Sequence, residues 1–93
     1  MNEIDEKREV KRLLILAVLA GRIMLKNGAE TYRVEDMIIR ICRSRKNIKY
    51  VEAFVTPTGI FVSLEHGEEV VSYLQRINTI KIDLNKINMV NDF

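Results

Sequence analysis

The hydroxyls of Thr56, Thr58 and Ser63 and the chain's single imidazole, His66, all fall within residues 56–66. Serine or threonine becomes a nucleophile only beside a base that is itself oriented by a third group, the arrangement of a hydrolase. Here His66 precedes Gly67 and is expected to be an exposed turn residue. The only acids on hand to orient it are neighbouring glutamates. Glu68 and Glu69 alternate across a strand, so they do not converge for acid/base work. A small Ser/Thr-His hydrolase is therefore carried as an alternative, and no catalytic residue is assigned. Cys42 is the only cysteine. One Cys and one His exclude an internal disulfide and a Cys/His zinc cluster within this chain, so no cofactor or metal is expected and reducing, cytoplasmic surroundings fit.

A second chemical feature is the basic run RICRSRKNIK, residues 40–49, with Arg40, Arg43, Arg45 and Lys46. Cations at a helix C-terminus complement its dipole, which makes a solvated helix end the plain explanation. The functional alternatives are contact with anionic lipid headgroups and a basic-helix module for nucleic acid. Fifteen Lys and Arg against thirteen Asp and Glu give a formal charge of +2, and no aromatic residues interleave the run, so nucleic acid is disfavoured.

The elements that position these groups follow from periodicity. A chain of 93 residues that is 47% hydrophobic and 30% charged is one folded domain with a small core. Helix one is expected over 6–27, opened by Glu3, Asp5 and Glu6 and stopped at Asn27-Gly28. Its apolar stripe is Val10, Leu13, Leu14, Ala17, Gly21 and Met24. Leu16, Leu19, Ala20 and Ile23 lie opposite, so the helix needs cover on two sides. Ala17 and Gly21, four apart, let another backbone approach closely; in water such a pair is more often ordinary helix packing, and contact with a second copy is carried as the alternative. The apolar stretch Leu13 to Ala20 is broken by Arg22 and Lys26, well short of the roughly 20 residues that span a bilayer.

Helix two is expected over 30–46, with Val34, Met37, Ile38, Ile41 and Cys42 inward. From Lys49 the period becomes two, giving three strands. A two-residue loop at Pro57-Thr58 sets Val55 opposite Ile60, Ala53 opposite Val62 and Val51 opposite Leu64, an aliphatic face. A tip at His66-Gly67 sets Val62 opposite Val71 and Ile60 opposite Tyr73 on the same face. The other face bears Tyr50, Glu52, Phe54, Phe61, Ser63, Val70 and Leu74, more apolar than a lone domain leaves wet. Asp83 caps a last helix carrying Leu84, Ile87 and Val90. The fold class is α+β: a helical hairpin on a three-stranded antiparallel meander, then a C-terminal helix, in the order ααβββα.

Two segments, GAETYRVED (Gly28 to Asp36) and FVTPTGIFVSLE (Phe54 to Glu65), followed by DLNKINMVNDF, resemble the soluble N-terminal domain of the threonine/serine exporter family. The resemblance covers the chain from about Leu13 to its end. It implies that this domain precedes a bundle of transmembrane helices that exports threonine, serine or related small metabolites on the proton gradient. It further implies a membrane-associated parent, this domain on the cytoplasmic side, and partnership with a transmembrane domain of the same or another polypeptide. The transmembrane part is absent here, and in transporters the substrate site normally lies at the membrane midplane. Motif positions with a functional alternative are Gly28, Glu30, Thr31, Arg33, Glu35, Thr56, Pro57, Thr58, Gly59 and Ser63. Their plain roles are a helix start, where Glu30, Thr31 and Glu35 bring oxygens to orphan N–H groups, a surface ion pair of Arg33 with Glu30, and a hairpin turn.

Overall fold

Glu3, Asp5 and Glu6 place negative charge on the first turn of helix α1, Glu3–Lys26, where exposed N–H groups favour it. The computed structural model describes residues 3–77. Helix α1 stops at the predicted signal. Gly28 takes φ +87°, the Ala29 N–H donates to the Met24 carbonyl at 3.0 Å, and the Gly28 N–H donates to Leu25 at 3.1 Å. This paired closure is a Schellman motif, and its left-handed position is what makes glycine the fitting residue there.

Helix α2, Thr31–Arg43, is shorter than expected. Ser44 ends it by donating its hydroxyl to the Ile41 carbonyl at 2.6 Å, and Asn47 turns the chain at φ 72°, so the basic run lies mostly beyond the helix. Strands β1 (Ile48–Thr56), β2 (Gly59–His66) and β3 (Glu69–Arg76) form an antiparallel sheet in the order β1-β2-β3. A bulge at Lys49 opens β1. The α+β meander is as expected; the proposed helix after Asp83 lies outside the described residues.

The first hairpin has the predicted register: Val55 faces Ile60, Ala53 faces Val62 and Val51 faces Leu64. The second departs from it. Its tip is Gly67-Glu68, His66 pairs with Glu69, and Val62 faces Tyr73. Gly67 adopts φ +62° at the first tip position, the placement a type II′ turn demands. Moving the tip by one residue moves the register by two, so the inward residues stay inward and only their partners change.

Both helices cover one face of the sheet, α2 over β1 and α1 over β2 and β3. Their buried side chains, Val10, Leu14, Val18, Val34, Ile38 and Cys42, meet Val51, Val55, Ile60, Val62 and Leu64 from the strands. Ala17 and Gly21 are inside this core. A Cβ on Gly21 would stand 2.9 Å from Val34 Cγ1, 3.0 Å from Ile38 Cδ1 and 3.4 Å from Ile60 Cδ1. The alternative of a contact between Ala17, Gly21 and a second copy is thus corrected: the small pair is ordinary helix packing, and lets α1 approach the chain's own α2 and β2.

Burial pushes the Cys42 thiol above its ordinary pKa, because the charged thiolate loses solvation. Two outcomes follow. A maleimide should label Cys42 only at the rate of unfolding, and instantly in denaturant; labelling of the folded chain at the rate of free cysteine would contradict its burial. Stability should also fall as pH climbs past the ordinary thiol range, since the unfolded chain then releases a proton that the folded chain keeps.

Candidate functional site

The two motif segments come together in space. Glu35, in the first half of α2, accepts a hydrogen bond on Oε2 from the Val55 N–H at 2.9 Å. Strand β1 lies at the sheet edge, so Val55 has no neighbouring strand on that side, and a carboxylate from the covering helix supplies the acceptor. This corrects the expectation that Glu35 serves the first turn of α2. Glu30 does precede the helix, with φ −72° and ψ 145°, but its side chain makes no cap bond; its backbone carbonyl accepts from Arg33 at 3.0 Å and Val34 at 3.3 Å. Arg33 does not pair with Glu30 among the described residues. Its guanidinium carbon lies 6.0 Å from the centre of the Tyr32 ring. Glu30, Thr31 and Arg33 are joined by no side-chain hydrogen bond, so no polar cluster is built from them among the described residues.

The other motif segment is a self-contained turn. Thr56 Oγ1 accepts from the Thr58 N–H at 3.3 Å and donates to the Gly59 carbonyl at 3.3 Å, with Thr58 Oγ1 also 3.3 Å away. The Thr58 carbonyl accepts from the Ile77 N–H at 3.0 Å, which ties the tip to the end of β3. Pro57, fixed near the φ of a first turn position, needs no donor there. The threonine hydroxyls are occupied by the turn they stand in.

Ser63 and His66 are three residues apart on β2, so they project to opposite faces of the sheet. Ser63 is on the outer face, where the Ser72 hydroxyl donates to it at 3.1 Å. His66 points to the helix side, its ring 12% exposed and Nε2 4.0 Å from Glu6 Oε2. The exposed turn residue expected here is therefore a half-buried one, since the tip lies one residue further on and α1 begins above it. No described serine or threonine hydroxyl is hydrogen-bonded to His66, so the nucleophile and base of a hydrolase are not assembled among the described residues. Two open cavities meet at His66, of about 350 and 410 Å³, and Glu6 lines both. Nearby, Lys7 pairs with Glu69 at 2.7 Å, a contact that raises the lysine's pKa above its ordinary value.

The basic run is partly neutralised. Arg45 is paired with Glu9 of α1, and Arg40 Nε is 3.0 Å from Asp36 one turn earlier, leaving Arg43, Lys46 and Lys49 as the run's exposed cations outside these pairs. No group of three His, Cys, Asp or Glu side chains is placed to hold a metal among the described residues.

What the structure does leave open is apolar surface on both sides. Leu16 and Ile23 on α1 are 62% and 61% exposed, and Leu19 is 42% exposed. On the sheet, Phe54, Val70 and Leu74 are each about two-thirds exposed, in rows set by the register: Phe54, Phe61 and Leu74 side by side, then Glu52, Ser63 and Ser72, then Tyr50, Glu65 and Val70. Periodicity finds both faces in the sequence; it does not find the Glu35 bond, because nothing local to α2 announces that β1 will lie beside it.

No helix among the described residues is long and apolar enough to cross a membrane. No curated protein and no solved structure matches the chain. The family model of the threonine/serine exporters, ThrE, matches residues 15–93. That span includes α2, the whole sheet and both motif segments that the Glu35 to Val55 bond holds together, and the chain belongs to the threonine/serine exporter family.

Proposed function

We propose that this chain is the non-membrane assembly or regulatory domain of an exporter of small amino acids such as threonine and serine. In this reading it stands at the cytoplasmic side, precedes a transmembrane bundle in the same or a partner polypeptide, and performs no catalysis. Transport itself, driven by the proton gradient, belongs to the membrane part, where transporters place their substrate sites. The observation that carries the proposal is the pairing of family membership with two apolar faces exposed on a folded unit, α1 outside and the sheet outside. Surfaces of this kind mark sites of contact with other protein or with membrane.

The motif residues fit a positioning role. Gly28 closes α1 before α2, Glu35 holds α2 to β1, and the turn from Thr56 to Gly59 joins β1 to β2, and together they fix the shape of the surface a partner would see. The test is retention of substrate: cells lacking the gene should accumulate threonine when loaded with a threonine-containing peptide, and the restored gene should return efflux. Equal efflux with and without the gene would reject an exporter role.

A further inference from the structure

The two exposed faces differ in a way that makes them complements. Arg12, Leu16, Leu19 and Ile23 follow the spacing i, i+4, i+7, i+11, which on a helix is one straight stripe, and it runs opposite the buried Leu14, Ala17 and Gly21. The stripe is apolar toward the C-terminal end of α1 and basic toward the other, where Arg8 and Arg12 are exposed. The outer sheet face has the opposite character. Its Phe54, Phe61 and Leu74 row is apolar, and further along the strands Glu52, two residues from Phe54, and Glu65, four residues from Phe61, project from it.

The spacings agree. From Leu19 to Arg12 is about 10 Å at ~1.5 Å per residue. From Phe61 to Glu65 is about 13 Å at ~3.3 Å per residue. A helix stripe laid along the strands with Leu19 over the phenyl row sets Leu16 about 4.5 Å and Arg12 about 10 Å toward the glutamates, and Ile23 about 6 Å toward the Thr56-Gly59 end of the sheet. Lys26 and Arg76 then fall at the wet rim, where screening limits their repulsion.

We propose that the outer face of α1 in one copy docks on the outer sheet face of a second copy, head to tail, through an apolar contact flanked by Arg12 against Glu52 and Glu65. The two patches are different surfaces of one chain, so the contact is heterologous and a pair keeps one free face of each kind. This goes beyond the exporter role and does not depend on what is transported. One helix about 36 Å long and ~10 Å wide covers less than the roughly 800 Å² per partner of a standard interface, so the association is weak and concentration-dependent.

Sedimentation equilibrium of the 93-residue chain tests it. The wild-type mass should rise above that of a monomer between about 10 µM and about 1 mM, the range of a weak contact. Leu16→Asp destroys only the helix patch and Phe54→Asp only the sheet patch, and both side chains are exposed enough to leave the fold intact, which circular dichroism verifies. Each variant alone should stay monomeric, and an equimolar mixture should reach the mass of a dimer, because one intact interface remains between them. Arg12→Glu and Glu65→Arg should each weaken assembly, and together restore it. A mixture that stays monomeric overturns the proposal, as does a wild-type chain that is monomeric throughout. So does binding to phosphatidylserine vesicles that requires Arg12 and Leu16 while the chain in solution remains a monomer, since that result gives the helix face to a membrane.

Discussion

Gly21→Leu should cost about 3 kcal/mol of folding stability, the upper end of the ~1–3 kcal/mol typical of overpacking. The first added carbon already stands 2.9 Å from Val34 and 3.0 Å from Ile38, and three more have no space to enter because Ile60 closes the third side. At roughly 4–8 °C per kcal/mol for a domain of this size, the melting temperature should fall by on the order of 15 °C. Gly21→Ala is the informative companion. It gains about 1 kcal/mol of helix propensity while incurring a milder clash, so its loss should be much smaller than that of leucine. If Gly21→Leu melts with the wild type, α1 does not pack against α2 and β2 as described, and the small pair would again be free to serve an intermolecular contact.

Glu35→Ala should be nearly as damaging, at about 2 kcal/mol, for a different reason. It removes a charged acceptor from a half-buried edge-strand N–H, and a hydrogen bond to a charged group is worth ~1.5–3 kcal/mol. The local readout is hydrogen exchange: the Val55 amide should lose about thirtyfold in protection, more than amides in β2. Glu35→Gln keeps an acceptor oxygen without the charge and should lose less than half as much. Equal exchange at Val55 in wild type and Glu35→Ala would remove the link between the two motif segments.

These two residues also mark where sequence reasoning succeeds and where it stops. The small pair at Ala17 and Gly21 announces a close approach, since only small side chains allow one; which backbone or side chain approaches is a tertiary fact, and here it is the chain's own. Glu35 shows a sharper limit. It stands in the first half of a helix with an acidic side chain, which locally suggests service to the helix start, yet its bond reaches a strand twenty residues away. The first hairpin was legible because only one register puts Val51, Ala53, Val55, Ile60, Val62 and Leu64 on one face. The second was legible only in its parity: a shift of two residues preserves every inward side chain, so hydrophobic pattern alone does not separate a tip at His66-Gly67 from the one at Gly67-Glu68. That small displacement turned His66 from an exposed tip residue into one held beneath α1, across the sheet from Ser63.

The candidate site was legible in a complementary way. The exposed faces of α1 and the sheet follow directly from apolar residues left over once each core stripe is assigned. The motif residues, singled out as positions with a functional alternative, form the joints of the scaffold: the α1 closure at Gly28, the α2 to β1 bond at Glu35, and the turn at Pro57.

The proposed role is that the domain serves export through its surface and not through chemistry. The most direct measurement is threonine efflux from loaded cells carrying the gene with Leu16→Asp and Ile23→Asp together, both exposed positions whose change leaves the fold intact. The variant protein should be present at normal abundance, with efflux strongly reduced toward that of cells lacking the gene. Wild-type efflux from that variant would contradict it.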